Sequence, residues 1–191
     1  MYINPKNQLD ITADATTIKM MGLLSSIGQE YNLKAGDVVI REGQLVDFFF
    51  IVASGSFRAY RYAFDREITV GFTFTGDIDT APYAFINNSH STETIVALTN
   101  STVIKIHRNA LDTLTSQHHG MKNFIEQLLA SYIEVLIQRL IEFKTITAEQ
   151  AYHNLYERQP GEIQNIPLKY IASYLGISQE RLSRIRKNKT I

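Results

Sequence analysis

The sequence predicts an α+β protein. An N-terminal antiparallel β-roll, jelly-roll-like and flanked by helices, leads into one long helix and then a small all-α helix-turn-helix unit with little or no wing. Three observations carry this expectation. Between Leu33 and about Arg108, short runs of Val, Ile, Phe, Tyr and Thr alternate with turn residues. At about Leu111 the apolar period lengthens from two to the three-to-four spacing of a helix. Finally, the chain is neutral as a whole yet collects positive charge at its end. The expected divisions are a roll over 1–115, a dimerisation helix over 116–144 and a helix-turn-helix unit over 145–191.

Length and composition set the limits. A chain of 191 residues with 45% hydrophobic content fits one large domain or two small ones. It has no cysteine, which excludes disulfides, iron–sulfur clusters and thiolate zinc sites. The start, MYINPKNQLD, lacks the basic and apolar regions of a secretory signal. The apolar run FFFIVA is strand-sized, well short of the roughly 20 residues of a membrane span. A cytoplasmic protein with no membrane partner is expected. From Gly161 onward six basic residues face two acidic ones, a net of +4, which leaves −4 on the rest. A positive end on a negative body points to an anionic partner for that end.

The elements follow in order. Residues Asp14 to Tyr31 read as a helix, with Ile18, Met21, Leu24 and Ile27 at helical spacing. Turn signals then punctuate the strands at Gly36-Asp37, Gly43, Ser54-Gly55, Gly71 and Gly76-Asp77. In SFRAYRYAF, Phe57, Ala59, Arg61 and Ala63 fall on one face and Arg58, Tyr60, Tyr62 and Phe64 on the other. Many short strands at this spacing argue for a roll or sandwich.

A single long helix is expected over Ser116 to Lys144, about 40 Å at 1.5 Å per residue. Its apolar stripe is wider than one packing face requires. Met121, Ile125, Leu128, Tyr132 and Val135 follow a coiled-coil seam and are assigned to dimerisation; Phe124, Leu129, Leu136 and Leu140 are expected to rest on the roll. A helix over Ala148 to Glu157 is closed by Pro160-Gly161. The last segment opens at Asn165-Ile166-Pro167, with Pro in the first helical turn.

That last segment fits a helix-turn-helix frame counted from Leu168. Ile171, Leu175, Ile177, Leu182 and Ile185 occupy the buried positions, Ala172 the small crossing position and Gly176 the turn that needs positive φ. Ser178 is a suitable N-cap. The exposed face of the second helix then carries Gln179, Glu180, Arg181, Ser183, Arg184, Arg186 and Lys187. With Ser178 these are the candidate DNA-contacting residues, of types that read base edges and neutralise phosphates.

Together the roll, long helix and terminal helix-turn-helix resemble the Crp–Fnr superfamily of bacterial transcription regulators. The resemblance rests on LKAGDVVIREGQLVDFFFIVASGSFRAY with Gly36, Gly43 and Gly55, on Gly76-Asp77, and on IASYLGISQERLSRIR. It implies a homodimer, double-stranded DNA as partner, RNA polymerase as a further partner, and base contacts from Gln179, Glu180 and Arg184. Two departures stand out. Cyclic-nucleotide-binding members carry a Glu for the ribose and an Arg-Ser/Thr pair for the cyclic phosphate; here those positions hold Ala81, Ser91 and Thr92. No Arg or Lys lies between Arg66 and Lys105, while Asp77, Asp79 and Glu93 would repel a phosphate, so cAMP is not expected to bind. The family also follows its recognition helix with a β-hairpin wing, for which only Asn188 to Ile191 remain.

A small-molecule effector of unknown identity has a candidate pocket in Phe72, Phe74, Tyr83, Phe85 and Thr92. The alternative is that these aromatics simply fill the roll's core. His90, His107, His118, His119 and His153 lack ligand spacing, so neither metal nor cofactor is expected. The leading function is a homodimeric, sequence-specific transcription regulator. The alternative is a metabolite-sensing roll whose C-terminal helices dock a protein. An enzyme of the cupin type is not expected: His107 stands alone on the strands, and no nucleophile–base pair or phosphate loop is present.

Overall fold

The computed structural model of the chain describes residues 15–188. The polar N-terminal stretch, the first residue of the first expected helix and the final three residues, Lys189 among them, lie outside the described residues. Helix α1 (Ala15–Ser26) leads into eight strands: β1 (Gln29–Leu33), β2 (Val38–Ile40), β3 (Phe48–Ser54), β4 (Ser56–Ala63), β5 (Arg66–Phe74), β6 (Ile78–Asp79), then, after helix α2 (Pro82–Asn87), β7 (Thr94–Ala97) and β8 (Ser101–His107). They form two antiparallel four-stranded sheets in the orders β1-β8-β3-β6 and β2-β7-β4-β5. The sequence-predicted roll is therefore present.

Alternation of side chains explains the layering. Val39, Phe48, Phe50, Val52, Phe57, Ala59, Ile95 and Val103 fill the space between the sheets. On the outer side of the first sheet, Phe49, Ile51 and Ile106 meet α1, α3 (Arg108–Gln117) and α4 (His119–Thr145). The turn at Gly55 has φ +99, and a Cβ there would lie 2.8 Å from the Ser101 backbone. Only glycine lets β3 reverse tightly into β4 at that point.

The long helix starts later than expected, at His119, because His118 is extended at φ −126, ψ 97 and its N–H caps α3 through the Leu114 carbonyl. Its 27 residues still run for about 40 Å. The two faces assigned from sequence need correcting. Met121, Leu128 and Val135 are buried, and Ile125 and Tyr132 pack half-buried against the roll-side core. The presumed dimer seam therefore lies against its own chain. Phe124 is buried as expected, but Leu136 and Leu140 are 41% and 56% exposed and align with Ile133, Ile137, Ile141 and Phe143 in an uncovered apolar stripe. A 3.6-residue helix with a wide stripe offers either half to the roll. The roll's outer face, by accepting Met121 and Leu128, decides the rotation.

Helices α5 (Ala148–Arg158), α6 (Pro160–Ile163), α7 (Leu168–Leu175) and α8 (Gln179–Asn188) complete the chain. A reciprocal capping box between Thr147 and Gln150 sets the start of α5.

Candidate nucleic-acid interface and effector cleft

Helices α7 and α8 form the helix-turn-helix. Ile171, Ala172, Leu182 and Ile185 are buried in one cluster with Tyr152, Leu155, Ile163 and Ile166 from α5, α6 and the following turn. Gly176 ends α7 at φ +66, and the Ile177 N–H donates to the Ala172 carbonyl at 3.0 Å. This left-handed cap lets two short helices meet across three residues. The Ser178 hydroxyl accepts from the Arg181 N–H at 3.2 Å, so Ser178 is the N-cap.

On the outer side of α8, Gln179, Glu180, Arg181, Arg184 and Lys187 are exposed together. The Glu180 carboxyl is held below its ordinary range, first by its own backbone N–H and then by Ser178. Ser183 is half-buried. Arg186 departs from the expected row: it is half-buried, its guanidinium sits 5.5 Å from the Tyr152 ring centroid, and its Nε and Nη2 are buried without a hydrogen bond. Tyr152 of α5 lies under this position, which periodicity on α8 alone does not reveal.

The other side of α7 rests on β5, the outermost strand of its sheet. The Thr69 N–H donates to Ser173 Oγ at 2.9 Å, and Ser173 Oγ donates to the Glu67 carbonyl at 3.3 Å. Arg139 of α4 donates to the Val70 carbonyl at 2.8 Å. Side chains thus satisfy backbone groups that an edge strand would otherwise leave open. Arg58, 2% exposed, bonds Thr69 and Glu67 at 2.9 and 2.7 Å; its guanidinium stacks between Tyr60 at 4.5 Å and Tyr170 of α7 at 3.9 Å. Phe72 meets Tyr174 with ring centroids 5.3 Å apart. Sequence reading missed Arg58 and Ser173. The one available signal was an Arg inside the aromatic strand SFRAYRYAF, on the face later covered by α7.

Roll, α4 and the helix-turn-helix unit together enclose a cleft of about 530 Å³. Its polar lining comprises Tyr132, Thr73, Arg139, Glu142 and an Arg61–Glu93 pair at 3.3 Å. Leu140, Phe143, Leu155 and Leu175 supply apolar wall. Burial pushes Glu93 up, with Arg61 opposing the shift. Two cations thus reach the region from β4 and α4, a contribution not visible in the cassette, where no Arg or Lys occurs.

The expected effector pocket does not come together. Phe72 lines this cleft, whereas Phe74 is buried beside it in the helix-turn-helix cluster. Tyr83 is 70% exposed on α2, Phe85 packs edge-on against Phe49 at 5.8 Å, and Thr92 is exposed. Tyr83 and Phe85 stand on α2, where Phe85 meets Phe49 of β3, in the other sheet from Phe72. At the phosphate positions, Ala81 is buried and Ser91 is tied to Glu93 at 2.7 and 3.1 Å. Asp77 and Asp79 are fully buried, and burial lifts Asp77 to about 8. Among the described residues no cluster of His, Asp or Glu is arranged to hold a metal, and no helix is long and apolar enough to cross a membrane.

Comparison places these features among known proteins. Residues 30–118 match the cyclic nucleotide-binding domain family. A cGMP-dependent protein kinase of Plasmodium berghei is 32% identical over 103 residues, 54% of this chain and 11% of the kinase, so the chain spans about a tenth of that relative's length. Among solved structures, FixK2 from Bradyrhizobium japonicum superposes with a TM-score of 0.73 at 16% identity, covering 84% of this chain and 83% of that one. The c-di-GMP responsive global regulator CLP of Xanthomonas campestris gives 0.70 at 16% identity, covering 90% of each chain. The catabolite activator protein of Thermus thermophilus gives 0.58 at 20% identity, covering 92% of this chain and 84% of the other.

Proposed function

We propose, for a chain that joins a cyclic-nucleotide-binding-type roll to the architecture of the Crp–Fnr regulators, that it is a sequence-specific DNA-binding transcription regulator acting as a homodimer, not an enzyme and not a cAMP receptor. The observation that carries this reading is the outward face of α8. Gln179, Glu180, Arg181, Arg184 and Lys187 stay exposed while α7, not α8, holds the unit to the roll. Arg184 is assigned to a guanine, where a bidentate contact discriminates by about 1–3 kcal/mol. Arg181 and Lys187 are assigned to phosphates, and Ser178 acts as the cap that sets the first turn of α8. The exposed stripe of Ile133, Leu136, Ile137, Leu140 and Ile141 is the dimer face. It would set two recognition helices about 34 Å apart on successive major grooves.

Selection of bound sites from random DNA with the purified protein, followed by anisotropy titrations, tests the reading. If six to eight phosphates are neutralised per dimer, log affinity falls against log salt with a slope of about −5 to −7. Arg184→Ala relaxes specificity, whereas Lys187→Ala weakens every sequence about equally. If selection enriches no sequence and neither change affects binding, the assignment fails, and a protein-docking role for the terminal helices takes its place. In calorimetry, cAMP gives no heat at micromolar concentrations; a saturable isotherm there refutes that part.

A further inference from the structure

The β4–β5 hairpin turns on two consecutive left-handed residues, Phe64 at φ +50 and Asp65 at φ +59. Asp tolerates that region, but a bulky aromatic is strained there, and Asn-Gly is the ordinary choice for such a turn. With 99% of its surface exposed, Phe64 gains no packing in return. Strain kept without an internal benefit points to a function outside the fold. The stem below the turn is stiff. Tyr62 meets Tyr60 edge-on at 5.8 Å, Tyr60 lies 4.5 Å from the Arg58 guanidinium, and the Tyr62 hydroxyl donates to Glu67 at 3.3 Å. That stem is tied to the helix-turn-helix unit: Arg58 bonds Glu67 and stands 3.9 Å from the Tyr170 ring, which has Lys169 Nζ 4.8 Å from its centroid. Lys169 is exposed in the first turn of α7. Phe64 lies two residues, about 7 Å, beyond the Tyr62–Glu67 pair on this stem. Of the nearby acids, Glu67 is held by Arg58 and Glu93 by Arg61, which leaves Asp65 beside the exposed cations Arg66 and Lys169.

We propose that the β4–β5 hairpin is a second DNA-contacting element beside α8. Arg66 and Lys169 take phosphates next to the major groove that receives α8, and Phe64 enters the adjoining minor groove as an apolar wedge. The first helix of a helix-turn-helix crosses the phosphate backbone, so a hairpin fastened to the first turn of α7 comes up against that same backbone. An exposed aromatic alone would suit a protein pocket as well; the tie to α7 and the flanking cations favour DNA. The inference rests on the regulator reading and widens its interface from one element to two.

Anisotropy titrations of the intact chain test this, with one duplex of about 40 base pairs carrying the site selected by the parent and one of random sequence. Phe64→Asn keeps the left-handed turn and is expected to raise Tm by about 1–4 °C while weakening the selected duplex about fivefold or more. Arg66→Gln weakens both duplexes about equally and lowers the slope of log affinity against log salt by about one per protomer. With p-benzoylphenylalanine in place of Phe64, irradiation is expected to join labelled duplex to the chain. The inference is overturned if Phe64→Asn and Arg66→Gln bind both duplexes as the parent does while Arg184→Ala loses specificity; the regulator reading then stands without it. A crosslink that joins only protein to protein overturns it as well, as does a Tm lowered by Phe64→Asn. A parent that binds neither duplex takes the regulator reading down and this inference with it.

Discussion

Ser173→Ala isolates the junction between the helix-turn-helix head and the roll. The hydroxyl accepts from the Thr69 N–H at 2.9 Å and donates to the Glu67 carbonyl at 3.3 Å, and both partners belong to β5. Each such bond contributes about 0.5–1.5 kcal/mol net. The second is long and exposed, so the pair is worth about 1–2 kcal/mol, or roughly a 5- to 30-fold shift between docked and released head. Alanine is the better helix former by a few tenths of a kcal/mol, so α7 itself is not weakened. Amide hydrogen exchange by NMR reads the effect directly. The Thr69 amide is expected to exchange roughly 5- to 30-fold faster in the variant. Val103, in the middle of β8 with strands on both sides, is the internal reference and stays unchanged. A Thr69 rate within about twofold of the parent's refutes the claim that Ser173 holds the head to β5.

Further expectations concern the helix face, a buried acid and the turn. Leu140→Glu and Ile137→Glu are expected to yield monomers in sedimentation velocity with little change in Tm, since both side chains are about half exposed; Leu128→Glu, which is buried, instead unfolds the chain. Asp77 has its folded pKa raised by burial from 3.8 to about 8, so its contribution to stability is complete below about pH 4 and is lost as pH rises through 8. Asp77→Asn keeps an oxygen for the Phe74 N–H and is expected to match the parent's Tm near pH 4 and exceed it near pH 8.5; a parallel pair of profiles would speak against the assignment. Leu182→Ala, fully buried in the head, is expected to lower stability by about 2–5 kcal/mol in denaturant titrations and to abolish operator binding.

The roll and the head were both legible in the residues, for different reasons. Strand alternation and turn glycines act locally, so the sheets follow from spacing. The head's frame needs only seven residues at fixed positions, and Ile171, Ala172, Leu182 and Ile185 are buried as that frame requires. What escaped the sequence was whatever depends on which element lies across from which. Either half of the long helix's stripe satisfies amphipathicity, and only the roll's outer face chose Met121 and Leu128 over Leu136 and Leu140. The cleft's charges come from β4 and α4, far from the segment where a phosphate cradle is sought, so a search confined to residues 76–97 finds no cation. Arg186 falls on the polar side of α8 by periodicity, yet Tyr152 from α5 takes it inward.

Among the described residues strand β5 pairs only with β4, and side chains from the helix-turn-helix head and long helix stand where another strand would pair on its outer side. Were the head to lift away, a row of bare amides and carbonyls would open next to Phe72, a template onto which a second molecule in the same condition could zip. How long this protein would tolerate an open head is therefore set in part by crowding. A concentrated stock of Ser173→Ala is expected to accumulate thioflavin-positive assemblies over time while the parent stays clear, and a stock of the variant that stays equally clear would contradict it.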